Sequence, residues 1–160
     1  METARVITLF VSTVTTGLIA GLFYAYSCSV MIALRRVEDR VFVEVMNRIN
    51  VAILNVWFVS CFVGGLVATA AVVALQAAGA QRPLLPVVSA LVLYIAMIMI
   101  TRGRNIPLNN ELAATQASDP PAELARARQR FEGPWVRWNL VRTLLSIAAF
   151  CCMVGALLVA

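Results

Sequence analysis

The chain has 160 residues, 61% of them hydrophobic and only 13% charged, with a formal net charge of +5 and a mean hydropathy of +0.86. A soluble domain of this size could not bury that much apolar surface, so the composition indicates an integral membrane protein and excludes a soluble enzyme. The pI near 9.6 comes from 13 basic residues, all arginine, that flank apolar runs, which fits topology signals and lipid head groups and not nucleic acid.

The first span is expected over residues 6–34. Its apolar run is too long for a cleaved signal peptide, and no small-residue cleavage site precedes a soluble domain. Gly17 and Gly21 form a GxxxG pair, a surface where a second helix, including that of another copy, could approach closely. The far end of this span is unusually polar, with Tyr24, Tyr26, Ser27 and Ser29.

Residues 35–50 connect to the second span. Val37, Val41, Val45 and Ile49 recur every four residues, with Arg40, Glu44 and Arg48 on another face, the pattern of an amphipathic helix. No Gly or Pro interrupts residues 37–63, so this helix is expected to run unbroken into the second span, residues 51–77. Asn55 and Trp57 lie near the start of that span, and Gly64, Gly65, Ala68 and Ala71 give it a small-residue surface. A short turn is expected over residues 79–86 and a third span over residues 84–100, with Tyr94 at its middle.

The long connection, residues 102–133, opens with an asparagine-rich stretch around Pro107 that includes Asn105, Asn109 and Glu111. A short helix is expected after Pro120-Pro121, ended by Gly133-Pro134, where the fourth span (residues 134–158) begins. The expected fold is therefore all-α: a single domain over residues 1–160, built as a membrane four-helix bundle with spans near 6–34, 51–77, 84–100 and 134–158. All arginines except Arg5 and Arg82 fall on the side of the two odd connections. By the positive-inside rule that side is cytoplasmic and both termini lie outside, as in a bacterial inner membrane.

Four helices thus bring polar residues to one third of the bundle. Trp135, Trp138, Asn139 and Arg142 recur at spacings of three and four, on one stripe of the fourth helix. Arg142 lies about 10 Å along the axis from Trp135, so it either snorkels to the interface or faces inward to hold a carbonyl, phenolate or carboxylate. Both tryptophans also suit an aromatic belt, and Asn105 and Asn109 also suit turn chemistry beside proline. Asn139 cannot snorkel, so its amide must tie helices together or line a pocket.

The chain has no histidine, no nucleotide loop and no Cys spacing that suits zinc, and its four cysteines lie in apolar runs as small hydrophobes. No metal is expected. Amides, an arginine, hydroxyls and aromatic faces can orient a lipophilic aromatic substrate and stabilise its anion.

The N-x-P-x-N motif at Asn105-Ile106-Pro107-Leu108-Asn109, followed by Leu112, together with W-x-x-W-N-x-x-R from Trp135 to Arg142, resembles the anthrone oxygenase-like family. That resemblance implies oxidation of an anthrone to an anthraquinone, with O2 as co-substrate and no conventional cofactor. It implies a site lined by Asn105, Asn109, Trp135, Trp138, Asn139 and Arg142, to which Asn55 adds a further polar group at the same level. Histidine, a base in some schemes for cofactor-free oxygenation, is missing here, leaving Glu111 or Tyr24 as substitutes. Two other readings stand beside it: a different tailoring reaction in the same pocket, such as nitrite-dependent diazotisation of an amine, and a non-enzymatic assembly partner. Proton-coupled transport is disfavoured, because no carboxylate lies within the expected spans.

Overall fold

The computed structural model describes residues 2–78 and 84–159. Among them there are helices and no strand: α1 (Glu2–Leu34), α2 (Asp39–Ala52), α3 (Val56–Ala77), α4 (Leu84–Ala113) and α5 (Pro121–Leu158). All but α2 are long and apolar enough to cross a membrane, giving an integral-membrane four-helix bundle. Each span packs on its neighbours in cyclic order, α1 on α3, α3 on α4, α4 on α5 and α5 on α1. Ile7, Phe10, Leu18, Val67, Val92 and Leu144 point outward and are exposed, as side chains facing lipid should be. Most of the turn expected over residues 79–86 lies outside the described residues.

Three departures from the expected elements have local causes. First, α2 and α3 are separate helices. Asn55 leaves helical geometry and caps α3, its Oδ1 accepting from the Phe58 N–H at 3.0 Å while its Nδ2 donates to the Ala52 carbonyl at 2.8 Å. Asparagine is among the strongest N-caps, and neither Gly nor Pro is needed to break a helix at one.

Second, α5 runs straight through Gly133-Pro134. Proline disfavours helical geometry in the preceding residue through its Cβ, and glycine has none, so the helix passes with one hydrogen bond lost. Third, α4 continues through the N-x-P-x-N motif instead of ending near residue 100. It does so by widening: at residues Thr101–Asn105 the Ile106 N–H bonds the Thr101 carbonyl, five residues back. A wide turn just before Pro107 opens the backbone ladder where proline cannot donate.

The helix α2 packs across α5 and the end of α4. Its fully buried residues are Phe42, Val43 and Met46; of the expected stripe, Val37, Val45 and Ile49 pack half-buried against the same core and Val41 is exposed. Phe42 meets Phe131 edge-on with centroids 6.0 Å apart; the large side chains remove more apolar area from water than valine would. Arg128 of α5 clamps the α1–α2 turn, donating to the carbonyls of Leu34, Arg35 and Val37 at 3.2, 3.1 and 2.8 Å.

The half of the bundle away from α2 is not purely aliphatic. Ser12 of α1 meets Thr69 of α3 at 2.7 Å, and Thr16 and Gln76 are buried as well. Cys28 and Cys151 lie on the outer surface rather than in the core.

Candidate functional site

The local sequence of α5 builds the site. Trp135, Asn139 and Arg142, at i, i+4 and i+7, are 2%, 1% and 7% exposed, so Arg142 does not snorkel. Its Nε donates to Asn139 Oδ1 at 2.9 Å, and its guanidinium carbon lies 4.1 Å from the Phe23 ring centroid and 5.1 Å from that of Trp135. Among the described residues, no carboxylate lies within ion-pair distance of it. Aromatic faces thus take the place of a counter-ion.

Asn139 carries three bonds. Beyond accepting from Arg142, its Nδ2 donates to the Phe23 carbonyl at 3.1 Å and to Ser27 Oγ at 2.8 Å. Phe23 precedes and Ser27 lies within a second wide turn, at Tyr26–Val30, where the Met31 N–H bonds the Tyr26 carbonyl. Single wide turns of this kind recur at functional sites; among the described residues there is one in α1 and one in α4. Thr143 Oγ1 donates to the Asn139 carbonyl at 2.7 Å, and Ser146 Oγ to that of Arg142, which settles the hydroxyls below the site.

Arg142, Phe23, Tyr26 and Trp135 form one wall of a cavity of about 630 Å³. Asn47 and Asn50 of α2, with Asn109 and Asn110 of α4, supply its amides; Phe58, Phe62 and Thr101 add to its lining. Trp135 Nε1 donates to Asn109 Oδ1 at 2.8 Å, fixing the indole plane. Val51, Leu54, Val59, Val63 and Ile106 also line the cavity and are themselves exposed, so its open flank is apolar. A volume in the range that small ligands occupy, with one charge and few amides, suits a lipophilic molecule with polar edges.

The expected residues divide. Trp135, Asn109 and Arg142 line the cavity, and Asn139 stands behind Arg142 and orients it. Asn105 is fully buried behind the wall, its Nδ2 donating to the Trp135 carbonyl at 3.5 Å. Trp138 lies half-buried outside the cavity under the Arg104 guanidinium, 5.0 Å from its centroid.

Three others stand elsewhere. Tyr24 points outward, 55% exposed; it is two positions, and so about 200° of helix turn, from Tyr26, which faces the cavity. Glu111 is exposed and paired with Arg130 at 2.9 Å. Asn55 is the cap of α3. Sequence reasoning passed over Phe23, Tyr26, Asn47 and Asn50 as site residues. The spacing of three between Phe23 and Tyr26, and between Asn47 and Asn50, was the available signal.

Gly17 and Gly21 also separate. A Cβ at Gly17 would stand 2.9 Å from the Phe150 ring, so that surface is filled within the chain, while nothing lies within 4 Å of Gly21.

Fold and site together define a four-span helical membrane protein with a buried cationic cavity. The chain belongs to the anthrone oxygenase family, whose profile, described as anthrone oxygenase, matches residues 55–152. The matched stretch covers α3, α4 and most of α5, and leaves out α1 and α2, which carry Phe23, Tyr26, Asn47 and Asn50. No curated protein and no solved structure matches the chain.

Proposed function

We propose that the protein is a membrane-embedded tailoring oxygenase that converts an anthrone-like aromatic, with an acidic ring methylene, to its quinone. One observation carries this reading: Arg142, buried on the cavity wall without a carboxylate partner, is a preorganised site for an organic anion. Family membership supports the oxygenase class.

Docking the substrate oxygen against Arg142 favours its enolate, so the methylene C–H breaks and its proton passes to water. The enolate's electrons reduce O2, a carbon–oxygen bond forms, and the resulting peroxide anion takes a proton back from water to give a hydroperoxide. Loss of the second C–H proton with O–O cleavage leaves a carbonyl and releases water. One O2 is consumed per quinone, one of its atoms entering the product and the other the water. The substrate anion is itself the reductant, so the step calls for no further cofactor.

Trp135, Phe23 and Phe62 offer ring faces for the fused aromatic, and the apolar flank offers entry from the bilayer. The arginine-rich end of the bundle, on the positive-inside rule, faces the cytoplasm.

Oxygen uptake by the purified protein in lipid nanodiscs, with a panel of anthrones, tests the reading. One O2 per quinone is expected, unchanged by a chelator, with Arg142→Gln lowering kcat/KM by about 100-fold. Chelator-sensitive uptake would replace the cofactor-free mechanism with a metal-dependent one. No uptake with any anthrone would sink the oxygenase reading and move the search to amine and nitrite chemistry.

A further inference from the structure

The cavity wall carries polar groups of several kinds, and few of them can move a proton. Amides and the indole N–H are neither useful acids nor useful bases near neutrality, and a guanidinium stays protonated. Among the described residues that line the cavity there is no carboxylate and no thiol, and the hydroxyls are those of Thr101 and Tyr26. Thr101 Oγ1 donates to the Met97 carbonyl at 2.9 Å, and an alcohol is a far weaker acid than a phenol. Only Tyr26 has the chemistry to give up a proton and take one back.

Its setting fits that use. Tyr26 belongs to the wide turn of α1, is 8% exposed, and makes no side-chain hydrogen bond with any described residue. The hydroxyl keeps accessible surface, unlike the sealed Asn105 Oδ1, so its donor and its acceptor are both open at the wall it lines. The Tyr26 ring centroid lies 5.6 Å from that of Trp135, and the Arg142 guanidinium carbon lies 5.1 Å from the Trp135 ring. Phenol and guanidinium thus adjoin one indole and interact electrostatically. A tyrosinate formed there has a cation to hold it.

We propose that the Tyr26 hydroxyl acts as acid and then as base in the two later steps of the oxygenation, in place of bulk water. Its proton goes to the peroxide anion, giving the hydroperoxide and a tyrosinate near Arg142. The tyrosinate then takes the second C–H proton; that electron pair forms the carbonyl bond as the O–O bond breaks and hydroxide leaves. Hydroxide combines with the proton that the methylene first released to water. Tyr26 ends protonated, and the stoichiometry stays at one O2 consumed for one quinone and one water. An alkyl peroxide anion is a stronger base than a phenolate, so the first transfer runs downhill. The inference rests on the oxygenase reading and adds to it the residue that drives carbonyl formation.

Tyr26→Phe removes the hydroxyl, keeps the ring, and breaks no hydrogen bond of the bundle. O2 uptake and quinone absorbance are followed together in nanodiscs with an anthrone, with thermal unfolding and affinity for the quinone product as controls. The variant is expected to take up one O2 per protein in a burst and to accumulate a hydroperoxide, detected by its oxidation of iodide. Quinone then forms about 100-fold more slowly than in the natural protein, while melting temperature and quinone affinity are unchanged. A ring-fluorinated tyrosine at position 26, a more acidic phenol of nearly the same shape, should move the pH profile of quinone formation toward acid.

Quinone formation by Tyr26→Phe at the natural rate, with no hydroperoxide, would overturn the role of Tyr26 and leave the oxygenase reading standing. A fall in melting temperature and quinone affinity in step with activity would do the same, reducing Tyr26 to packing. Absence of O2 uptake by the natural protein would remove the oxygenase reading and this inference with it.

Discussion

Replacing Asn139 by alanine tests the link between bundle stability and the cationic site. The change removes two donated bonds, to the Phe23 carbonyl at 3.1 Å and Ser27 Oγ at 2.8 Å, and the bond accepted from Arg142 Nε at 2.9 Å. Neutral hydrogen bonds between membrane helices average about 0.6 kcal/mol each, while one to a charged group is worth about 1.5–3 kcal/mol. The Arg142 term therefore dominates, and a loss of about 3 kcal/mol is expected.

The same change frees the guanidinium, which then depends on ring contacts alone for its position. A decrease in kcat of about 100-fold follows, because a misplaced charge stabilises a developing anion poorly. Thermal unfolding in detergent and oxygen uptake in nanodiscs read the two effects separately. Full activity in Asn139→Ala would refute the argument that Asn139 positions Arg142. An unfolded variant would instead mean that the amide holds α1 to α5 more strongly than this sum allows, and Asn139→Ser would then carry the kinetic test.

Two further substitutions probe the frame. A Cβ on Gly65 would stand 2.7 Å from the Tyr94 hydroxyl oxygen and 3.2 Å from its Cζ, whereas Gly64 has nothing within 4 Å. Gly65→Ala should therefore destabilise the bundle by about 1–3 kcal/mol through overpacking, and Gly64→Ala should leave the melting temperature nearly unchanged; equal effects would refute the close α3–α4 approach. Arg128 gathers three carbonyls of the α1–α2 turn together with Asp39 at 3.0 Å and Glu132 at 2.8 Å. Arg128→Ala is expected to cost about 3 kcal/mol and to speed proteolysis at residues 35–38, and Arg128→Lys to recover little, since an ammonium lacks the planar fork; complete rescue by lysine would reduce the clamp to a point charge.

What the sequence determined by itself was the class and the level of the site. Apolar run length requires helices that cross the bilayer, since only helices and closed barrels satisfy every backbone group there. The spacing of Trp135, Asn139 and Arg142 put them on one stripe whatever their surroundings. Those inferences are local, because length and periodicity act within one helix.

The choice among polar groups at that level belonged to the tertiary structure. Tyr26 rather than Tyr24, and Asn50 rather than Asn55, face the cavity because each helix is rotated by what it packs against: Phe42 on Phe131 for α2, and Phe23 beneath Arg142 for α1. Helix continuity was misjudged for a related reason. Gly-Pro and Asn each both permit and interrupt a helix, and the outcome turned on whether tertiary neighbours favoured a continuous α5 and a capped α3. A rotation of one residue costs nothing in helix propensity, so only packing could decide which side chains reached Arg142.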